Sequence, residues 1–385
     1  MSKFKRMITF LLVALFLVST VPVALAAKVT LKVDGAAIAT DVAPTIVGDD
    51  ALVSLKTLQD GLGVDTTYSA SKKMITVKSA AHTFNFAIGN PNYNYDGPIK
   101  TAAVTPKLVN KKPVVSLKAV VEGLGGTVSI SGSSIEVKYF SLMKGTVKIT
   151  GSTTLQPIAQ EAANKLNKMN TGLTISVAGG GSGAGVNDTI GGKNNLGMSS
   201  RALTSEEKAK ITPIAVADDG IAVIVHPSNP VKNLTKEQAA KIFLGEITNW
   251  SEVGGKNAPI LVQVRETGSG TRSTLEEMLL EKKSVIASAT PSASSALIKQ
   301  AVARDKNAIG FDSIGFVDKT VKVVSLDNIA PTVETVKGGS YLMGRALYLL
   351  TKGTPKGASA TFIDYLKTAD CQNTIVVKEG YIKLR

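Results

Sequence analysis

Three segments of the chain place glycines and hydroxyl side chains between an apolar strand and the start of a helix. They are residues 151–154 (Gly-Ser-Thr-Thr), 179–183 (Gly-Gly-Gly-Ser-Gly) and 265–271 (Arg-Glu-Thr-Gly-Ser-Gly-Thr). Glycine lets backbone N–H groups approach a ligand closely, and a helix N-terminus offers unpaired donors with partial positive charge. Three such loops predict a single dehydrated oxyanion that is held from several sides.

The region from residue 145 onward alternates strands with helices. Apolar strands over 147–149, 173–177, 221–225 and 260–264 are interleaved with amphipathic segments over 158–166, 236–243, 272–281 and 295–304. This alternation predicts an α/β architecture with parallel sheets. In such folds ligands lie at the carboxyl ends of the strands, where the glycine loops are expected.

Other functions for these loops fit the sequence poorly. A dinucleotide fingerprint that starts at Gly179 fails because its sixth residue is Ala184, and a Walker loop fails because Asn194 follows the Gly-Lys pair. Ordinary turns remain the alternative interpretation. His226 is the one histidine after residue 145, and no carboxylate cluster has metal-ligand spacing. The sequence therefore predicts binding without turnover, with no cofactor and no metal.

The first 26 residues have the pattern of a secretory signal peptide. Lys3, Lys5 and Arg6 precede an apolar run over 8–18, and Ala24-Leu25-Ala26 forms an A-x-A cleavage site. We expect cleavage after Ala26, with an uncleaved anchor as the alternative. The cleavage point carries no cysteine, so the protein is expected to be exported to the extracellular space or cell envelope without a lipid anchor.

The formal net charge of +14 favours anionic partners. Nucleic acid is disfavoured because the chain has an export signal, few aromatic residues, and basic residues scattered along its length. The expected macromolecular contact is an anionic cell-wall polymer. The only cysteine, Cys371, excludes an intramolecular disulfide, so packed cores must stabilise the fold.

An internal repeat occupies the region before residue 140. The segment Val-Ser-Leu-Lys at 53–56, followed by Gly-Leu-Gly at 61–63, returns at 115–118 and 123–125. In each copy a serine, Ser54 or Ser116, is predicted to cap a short helix that ends at a glycine. Alternating strands follow each helix, so the pattern indicates a duplicated α+β module over 28–140.

This module resembles the copper amine oxidase N-terminal-like domain, a small secreted unit. The resemblance implies no copper chemistry here, because His82 is the only histidine of the module and cysteine is absent from it. A stalk or a wall-contact domain is the expected role.

Four ordered motifs follow residue 145: the segments 149–154 (Ile-Thr-Gly-Ser-Thr-Thr), 197–201 (Gly-Met-Ser-Ser-Arg), 242–250 (Ile-Phe-Leu-Gly-Glu-Ile-Thr-Asn-Trp) and 265–271. Together they resemble the phosphate-binding proteins of bacterial ABC importers. The resemblance continues through 362–366 and 379–381 and covers 145–385. It implies a two-lobed, type II periplasmic-binding-protein fold that closes over its ligand.

The resemblance also implies which residues hold the anion and how the lobes divide. Lobe I would comprise about 145–222 and 331–385, and lobe II about 223–330. Arg265 would be the main charged partner, since its guanidinium fork matches two oxygens of a tetrahedral anion. The expected phosphate-binding residues are Ser152, Thr153, Thr154, Leu155, Ser182, Ser200, Arg201, Arg265, Ser269, Gly270 and Thr271.

One departure from the family pattern bears on selectivity. Some members carry an Asp directly after the serine of the 197–201 motif, where it accepts the proton of hydrogen phosphate and repels sulfate. Here that position is assigned to Arg201. A second cation without that acceptor predicts that sulfate competes with phosphate, with Asp219 and Asp188 as candidate substitute acceptors.

The sequence therefore predicts an exported, non-enzymatic receptor that captures inorganic phosphate between two lobes and delivers it to a membrane ABC permease. The alternative is a cell-surface attachment protein in which the repeat module is the working part. Its oxyanion site would then be vestigial or sensory.

Overall fold

A computed structural model describes residues 28–384, so the predicted signal peptide over 1–26 lies outside the described residues. Within 28–384, none of the helices combines the length and apolarity needed to cross a bilayer. The N-terminal module contains the elements β1 (Thr30–Val33), β2 (Ala36–Ala37), β3 (Thr45–Val47), β4 (Asp50–Ser54), α1 (Leu55–Leu62), β5 (Asp65–Ser69), β6 (Met74–Lys78), β7 (Thr83–Ala87), β8 (Asn92–Tyr95), β9 (Ile99–Thr101), β10 (Lys107–Val109), β11 (Lys112–Ser116), α2 (Leu117–Gly123), β12 (Thr127–Ser131) and β13 (Ser134–Lys138).

The rest of the chain forms a larger α/β region. Its strands and helices are β14 (Gly145–Gly151), α3 (Gln156–Met169), β15 (Leu173–Ala178), α4 (Ser182–Ile190), β16 (Leu196–Ser199), α5 (Ser205–Lys208), β17 (Thr212–Val225), β18 (Asn233–Leu234), α6 (Lys236–Leu244), β19 (Leu261–Arg265), α7 (Gly270–Met278), β20 (Thr290–Ser292), α8 (Ser295–Arg304), β21 (Ala308–Ser313), β22 (Lys322–Leu326), α9 (Val333–Lys337), β23 (Gly344–Thr351), α10 (Gly357–Lys367) and α11 (Ala369–Cys371). Short 3₁₀ turns cover Phe140–Leu142, Trp250–Val253 and Ile314–Phe316, and a π turn covers Gln372–Val376.

The repeat is visible in the module as two copies of one strand–helix unit. The Ser54 hydroxyl accepts the Thr57 N–H at the start of α1, and the Ser116 hydroxyl accepts the Ala119 N–H at the start of α2. The preceding strands, β4 and β11, pair with each other in antiparallel register. Both predicted serine caps are therefore present, and the two copies share one sheet.

One continuous sheet runs through the larger region in the order β15-β14-β16-β23-β17-β21-β19-β20. β14 pairs in parallel with β15 and β16, and β19 pairs in parallel with β20 and β21. β17 pairs antiparallel with β23 along its first half and with β21 along its second half. The sheet is thus mixed, which corrects the expectation of purely parallel sheets.

The antiparallel strand β17 joins two lobes with separate cores. One core contains β14, α3 and part of α10, and a second core contains the end of β17 with α6, α7 and β21. Tyr341 and Met343 pack in the second core. The strand β23, which pairs with the first half of β17, begins after them at Gly344, and the lobe boundary at about residue 331 stays a prediction.

The N-terminal module shares its core with lobe I. A single buried apolar cluster extends from Leu31 and Val115 in the module to Ile149 and Leu366 in lobe I. At Gly63, the C-cap of α1, a Cβ would lie only 1.8 Å from the Asp364 carbonyl oxygen. The module is therefore packed directly on α10, a closer association than the expected stalk implies.

A buried carboxyl group lies at this junction. Asp364 Oδ1 accepts the Ala80 N–H at 2.8 Å, and Oδ2 accepts the Tyr139 hydroxyl at 3.2 Å. Lys367 and Asp65 add an ion pair between the same two parts of the chain. Burial raises the pKa of the Asp364 carboxyl to about 7.

We expect stability to respond to pH through this group. The folded protein retains a proton on Asp364 up to about pH 7, whereas the unfolded chain releases it near pH 4. Stability therefore falls as pH rises from about 4 to 7, and this contribution is constant at higher pH. The Asp364→Asn variant should show a shallower fall in Tm across this window. Asp60→Asn is the control, because that carboxyl is partly exposed and pairs with Lys56 in α1. An unchanged slope in Asp364→Asn would contradict the assignment.

Candidate anion site between the lobes

Four helix N-termini converge between the two lobes. α3 and α4 belong to lobe I, and α7 and α8 belong to lobe II. The Thr154 hydroxyl, before α3, lies 3.1 Å from the Thr271 hydroxyl of α7 and 3.4 Å from the Ser295 hydroxyl of α8. The Gly183 N–H of α4 donates to the Gly268 carbonyl before α7 at 2.9 Å. Four positive helix ends at one place form an electrostatic environment that suits an anion.

The local sequence explains how these helices begin so close together. Gly181 is the N-cap of α4 with φ +88°, a left-handed conformation that glycine adopts at low cost. A Cβ on Gly181 would also lie 3.2 Å from the Gly268 carbonyl oxygen. Ser269 caps α7 by accepting the Arg272 N–H at 3.3 Å. Small and hydroxyl-bearing residues therefore let the backbones of the two lobes touch.

Arg265 is the buried cation of this arrangement. The residue is 2% exposed. Its Nη2 donates to the Thr153 hydroxyl at 3.1 Å, which crosses from lobe II to lobe I, and its Nη1 donates to the Ser295 hydroxyl at 3.1 Å. The carbonyls of Ser292 and Ala293 accept two further bonds. These bonds fix the plane of the guanidinium group beside the hydroxyl cluster.

A pair of serines closes the lobe I side against α7. The Ser182 and Ser200 hydroxyls lie 3.2 Å apart, and Ser182 also accepts the Ser200 N–H at 3.0 Å. A Cβ on Gly270 would be only 2.3 Å from Ser182 Oγ and 2.7 Å from Ser200 Oγ. A side chain at the start of α7 would therefore displace these two hydroxyls when the lobes are together.

The remaining residues of the first loop support the backbone. Ser152 is buried, and its hydroxyl accepts the N–H groups of Thr154 and Leu155 at 3.2 Å and 3.4 Å. Leu155 is the N-cap of α3. The structure thus brings the predicted residues of all three glycine loops to one place, together with Ser200.

Arg201 is oriented differently from the expectation. Its guanidinium group makes a bidentate ion pair with Glu207, at 2.8 Å and 2.7 Å, and also donates to the Ala202 carbonyl. Glu207 in turn accepts the Thr204 N–H in a capping box at the start of α5. The structure therefore places the Arg201 guanidinium in contact with its own loop and with α5. Its direct contact with an anion stays a prediction.

The two acceptors suggested by the sequence also have partners. Asp219 is fully buried and binds Arg345 through Nε and Nη2, at 3.0 Å and 2.8 Å, while accepting the Ser313 hydroxyl. Arg345 also donates to the Ser200 carbonyl and so supports the second serine from behind. Asp188 accepts the Thr150 hydroxyl at 2.8 Å.

Besides Arg345, three residues near the site were not predicted from the sequence. Ser295 links Arg265 to Thr154, and its position just after a hydroxyl N-cap, Ser294, is the signal that could have found it. Tyr381 donates from its hydroxyl to the Thr154 carbonyl at 2.5 Å. Asp312 lies buried at the end of β21, in an apolar strand without a distinguishing pattern.

Electrostatically the site combines positive helix ends with a desolvated guanidinium. Burial lowers the pKa of Arg265, with nearby Asp312 and Arg345 as smaller influences. Within residues 28–384, no group of three or more His, Cys, Asp or Glu side chains is arranged to hold a metal. Hydroxyls, backbone N–H groups and one cation are suited to hydrogen-bonding a tetrahedral oxyanion.

Two protein families match this chain, each over one of its two regions. The profile described as PBP superfamily domain matches residues 141–370, which is more than half of the chain. This chain belongs to the PBP superfamily. The profile described as Copper amine oxidase N-terminal domain matches residues 32–139. Both resemblances inferred from motifs are confirmed, as is the α/β fold class.

Curated relatives belong to the phosphate-binding branch. The phosphate-binding protein PstS of Bacillus subtilis is 34% identical over 244 residues, covering 62% of this chain and 80% of the relative. The phosphate-binding protein PstS of Borreliella burgdorferi is 30% identical over 254 residues, covering 62% of this chain and 90% of the relative. The similarity therefore spans most of each relative.

Solved structures agree with this assignment. The crystal structure of a candidate phosphate ABC transporter substrate-binding protein with bound phosphate from Clostridium perfringens is 36% identical, with a TM-score of 0.60. It covers 63% of this chain and 100% of that chain. An ABC-type phosphate transport receptor from Vibrio cholerae is 33% identical, with a TM-score of 0.53. The match covers 61% of this chain and 99% of the Vibrio cholerae chain.

Proposed function

We propose that this protein is an exported receptor that captures inorganic phosphate between its two lobes for delivery to an ABC permease. The observation that carries the proposal is the convergence of four helix N-termini and the Arg265 guanidinium on one hydroxyl cluster. A guanidinium fork and hydroxyl donors match a tetrahedral oxyanion. The names of the relatives support phosphate as that anion.

Capture couples to closure because the ligand would bridge both lobes. Thr153, Thr154 and Ser182 approach from lobe I, and Arg265 and Gly270 approach from lobe II. An anion bonded to both sets favours the closed state by its differential contacts. The closed receptor is the form that a permease would recognise.

Titration calorimetry with inorganic phosphate tests this proposal. We expect one equivalent per chain, with an affinity unaffected by equal concentrations of chloride or nitrate, since neither is a tetrahedral oxyanion. Sulfate is the expected competitor. Absence of phosphate binding by folded protein would contradict the proposed function.

The same arrangement supports binding without turnover. The hydroxyls of the cluster hydrogen-bond one another and Arg265, and His226 bonds Ser228 in the turn after β17. A serine or threonine nucleophile needs an adjacent general base. We expect no hydrolysis of a chromogenic phosphate ester, and measurable turnover that depends on the site would overturn this part.

The N-terminal module is assigned a role at the cell surface. It carries exposed lysines on several strands and turns, including Lys72, Lys100, Lys107 and Lys138. Exposed cations attract an anionic cell-wall polymer, and salt weakens such contacts. Co-sedimentation with cell walls that contain or lack anionic polymer tests the contact, which should disappear at high ionic strength.

A further inference from the structure

A buried carboxyl oxygen without a partner lies beside the candidate anion site. Asp312 is 1% exposed, and its Oδ1 accepts the Ser313 N–H at 2.8 Å. Its Oδ2 is buried and has no hydrogen-bond partner among the described residues. Buried polar atoms in folded proteins nearly always have partners. An unpaired atom next to a binding site indicates that its hydrogen-bond partner is supplied when the ligand binds.

Ser295 connects this carboxyl group to the anion site. The Ser295 hydroxyl accepts from Arg265 Nη1 at 3.1 Å and lies 3.4 Å from the Thr154 hydroxyl. It is also near enough to Asp312 to lower the pKa of that carboxyl, although its geometry falls short of a hydrogen bond to Oδ2. Asp312 therefore flanks the guanidinium group that a bound anion would neutralise.

The surroundings of Asp312 allow its carboxyl group to gain or lose a proton near neutral pH. Burial raises the pKa of Asp312 to about 7, while the cations Arg265 and Arg345 act in the opposite direction. Asp219 is held by Arg345 in a buried ion pair. The Tyr381 hydroxyl has a pKa raised well above its usual value by burial and stays neutral. Near neutral pH, Asp312 is thus poised between carboxylate and carboxylic acid.

We propose that Asp312 takes up a proton when a doubly charged anion that carries no proton of its own, such as sulfate, is captured, which couples the affinity for that anion to pH. The proposal rests on the anion-receptor function proposed above. A dianion beside Arg265 disfavours a second negative charge nearby. When sulfate binds, the carboxylate therefore takes a proton from solvent, and the resulting O–H at Oδ2 donates to a sulfate oxygen. No other bond forms or breaks.

Phosphate and sulfate differ in whether they need a protonated Asp312. Hydrogen phosphate carries its own O–H, which can donate to an ionised Oδ2 in place of a proton from solvent. Sulfate has no such proton and does not titrate near neutral pH. Sulfate capture must therefore be linked to protonation of Asp312, so the preference for phosphate over sulfate should increase with pH.

Calorimetric titration of the wild-type protein with sodium sulfate tests the linkage directly. We expect sulfate to bind at about pH 6 and its affinity to fall by about tenfold per pH unit above the pKa of Asp312 in the free protein. In two buffers of different ionisation enthalpy at about pH 8, the heats should indicate uptake of nearly one proton per sulfate. Phosphate should show a shallower dependence.

The Asp312→Asn variant removes the titrating group and keeps a hydrogen-bond donor. Its amide can donate to a sulfate oxygen at every pH, so sulfate affinity should become independent of pH, with no proton uptake. The ratio of phosphate to sulfate affinity at about pH 8.5 should fall at least tenfold. Asp364→Asn is the matched control, because that carboxyl is also buried with a pKa of about 7 but lies at the module junction. It should retain the wild-type ratio.

The outcomes separate this inference from the proposed function. Wild-type protein that binds phosphate, but binds no sulfate at about pH 6 or binds it without pH dependence, overturns the role of Asp312 alone. The same pH dependence in Asp312→Asn also overturns it. Wild-type protein that binds neither anion overturns the inference and the proposed receptor function together.

Discussion

The Arg265→Ala variant should lose at least about 100-fold in affinity for phosphate. Arg265 is the buried cation of the cluster, and its guanidinium spans both lobes by bonding Thr153 and Ser295. Hydrogen bonds to a charged group contribute about 1.5–3 kcal/mol each. An anion that replaces the Thr153 and Ser295 hydroxyls as acceptor would gain two of them, which corresponds to that loss. Titration calorimetry with inorganic phosphate, together with Tm to establish folding, measures the effect.

The Arg265→Lys variant separates charge from geometry. An ammonium keeps the positive charge but has three donors at one point, whereas Arg265 donates to four acceptors in a fixed plane. We expect a loss of at least about tenfold. Arg304→Ala is the control, because it removes the same charge from an exposed position of lobe II. Equal losses in Arg265→Ala and Arg304→Ala would mean that only overall charge matters.

Local sequence signals predicted the parts of the site that are built within single loops. A serine before an amphipathic run predicted the helix caps at Ser54 and Ser116, and both are present. Glycines beside hydroxyls predicted the three loops, and their residues meet between the lobes. These features depend on backbone conformation and helix ends, which neighbouring residues largely determine.

Features that depend on tertiary pairing could not be predicted in this way. Asp312 and Arg345 lie inside strands, and their surroundings are decided by how β21 and β23 pair with β17. Arg201 was assigned to the anion because of its place in a motif, but Glu207, six residues later, binds its guanidinium. The packing of the module on α10 likewise depends on contacts between residues far apart in the chain, such as Ala80 with Asp364.

The Gly270→Ala variant should weaken phosphate binding without weakening the fold. The added Cβ would lie 2.3 Å from Ser182 Oγ and 2.7 Å from Ser200 Oγ, so the lobes could not close to the observed distance. Overpacking of this kind costs about 1–3 kcal/mol, which corresponds to a loss of about five- to 150-fold. Titration with phosphate measures the affinity, and small-angle scattering with saturating phosphate measures closure.

The stability of unliganded Gly270→Ala distinguishes blocked closure from damage to lobe II. Gly270 is the first residue of α7, and alanine favours a helix more than glycine does, so the open variant should have a Tm equal to or slightly above the wild type. Gly172→Ala is the matched control, because its Cβ would meet only the Lys144 side chain at 3.5 Å. It should bind phosphate normally. If Gly270→Ala bound phosphate with wild-type affinity, close contact of Ser182 and Ser200 with α7 would not be needed for binding. Phosphate would then be held with the lobes further apart than observed.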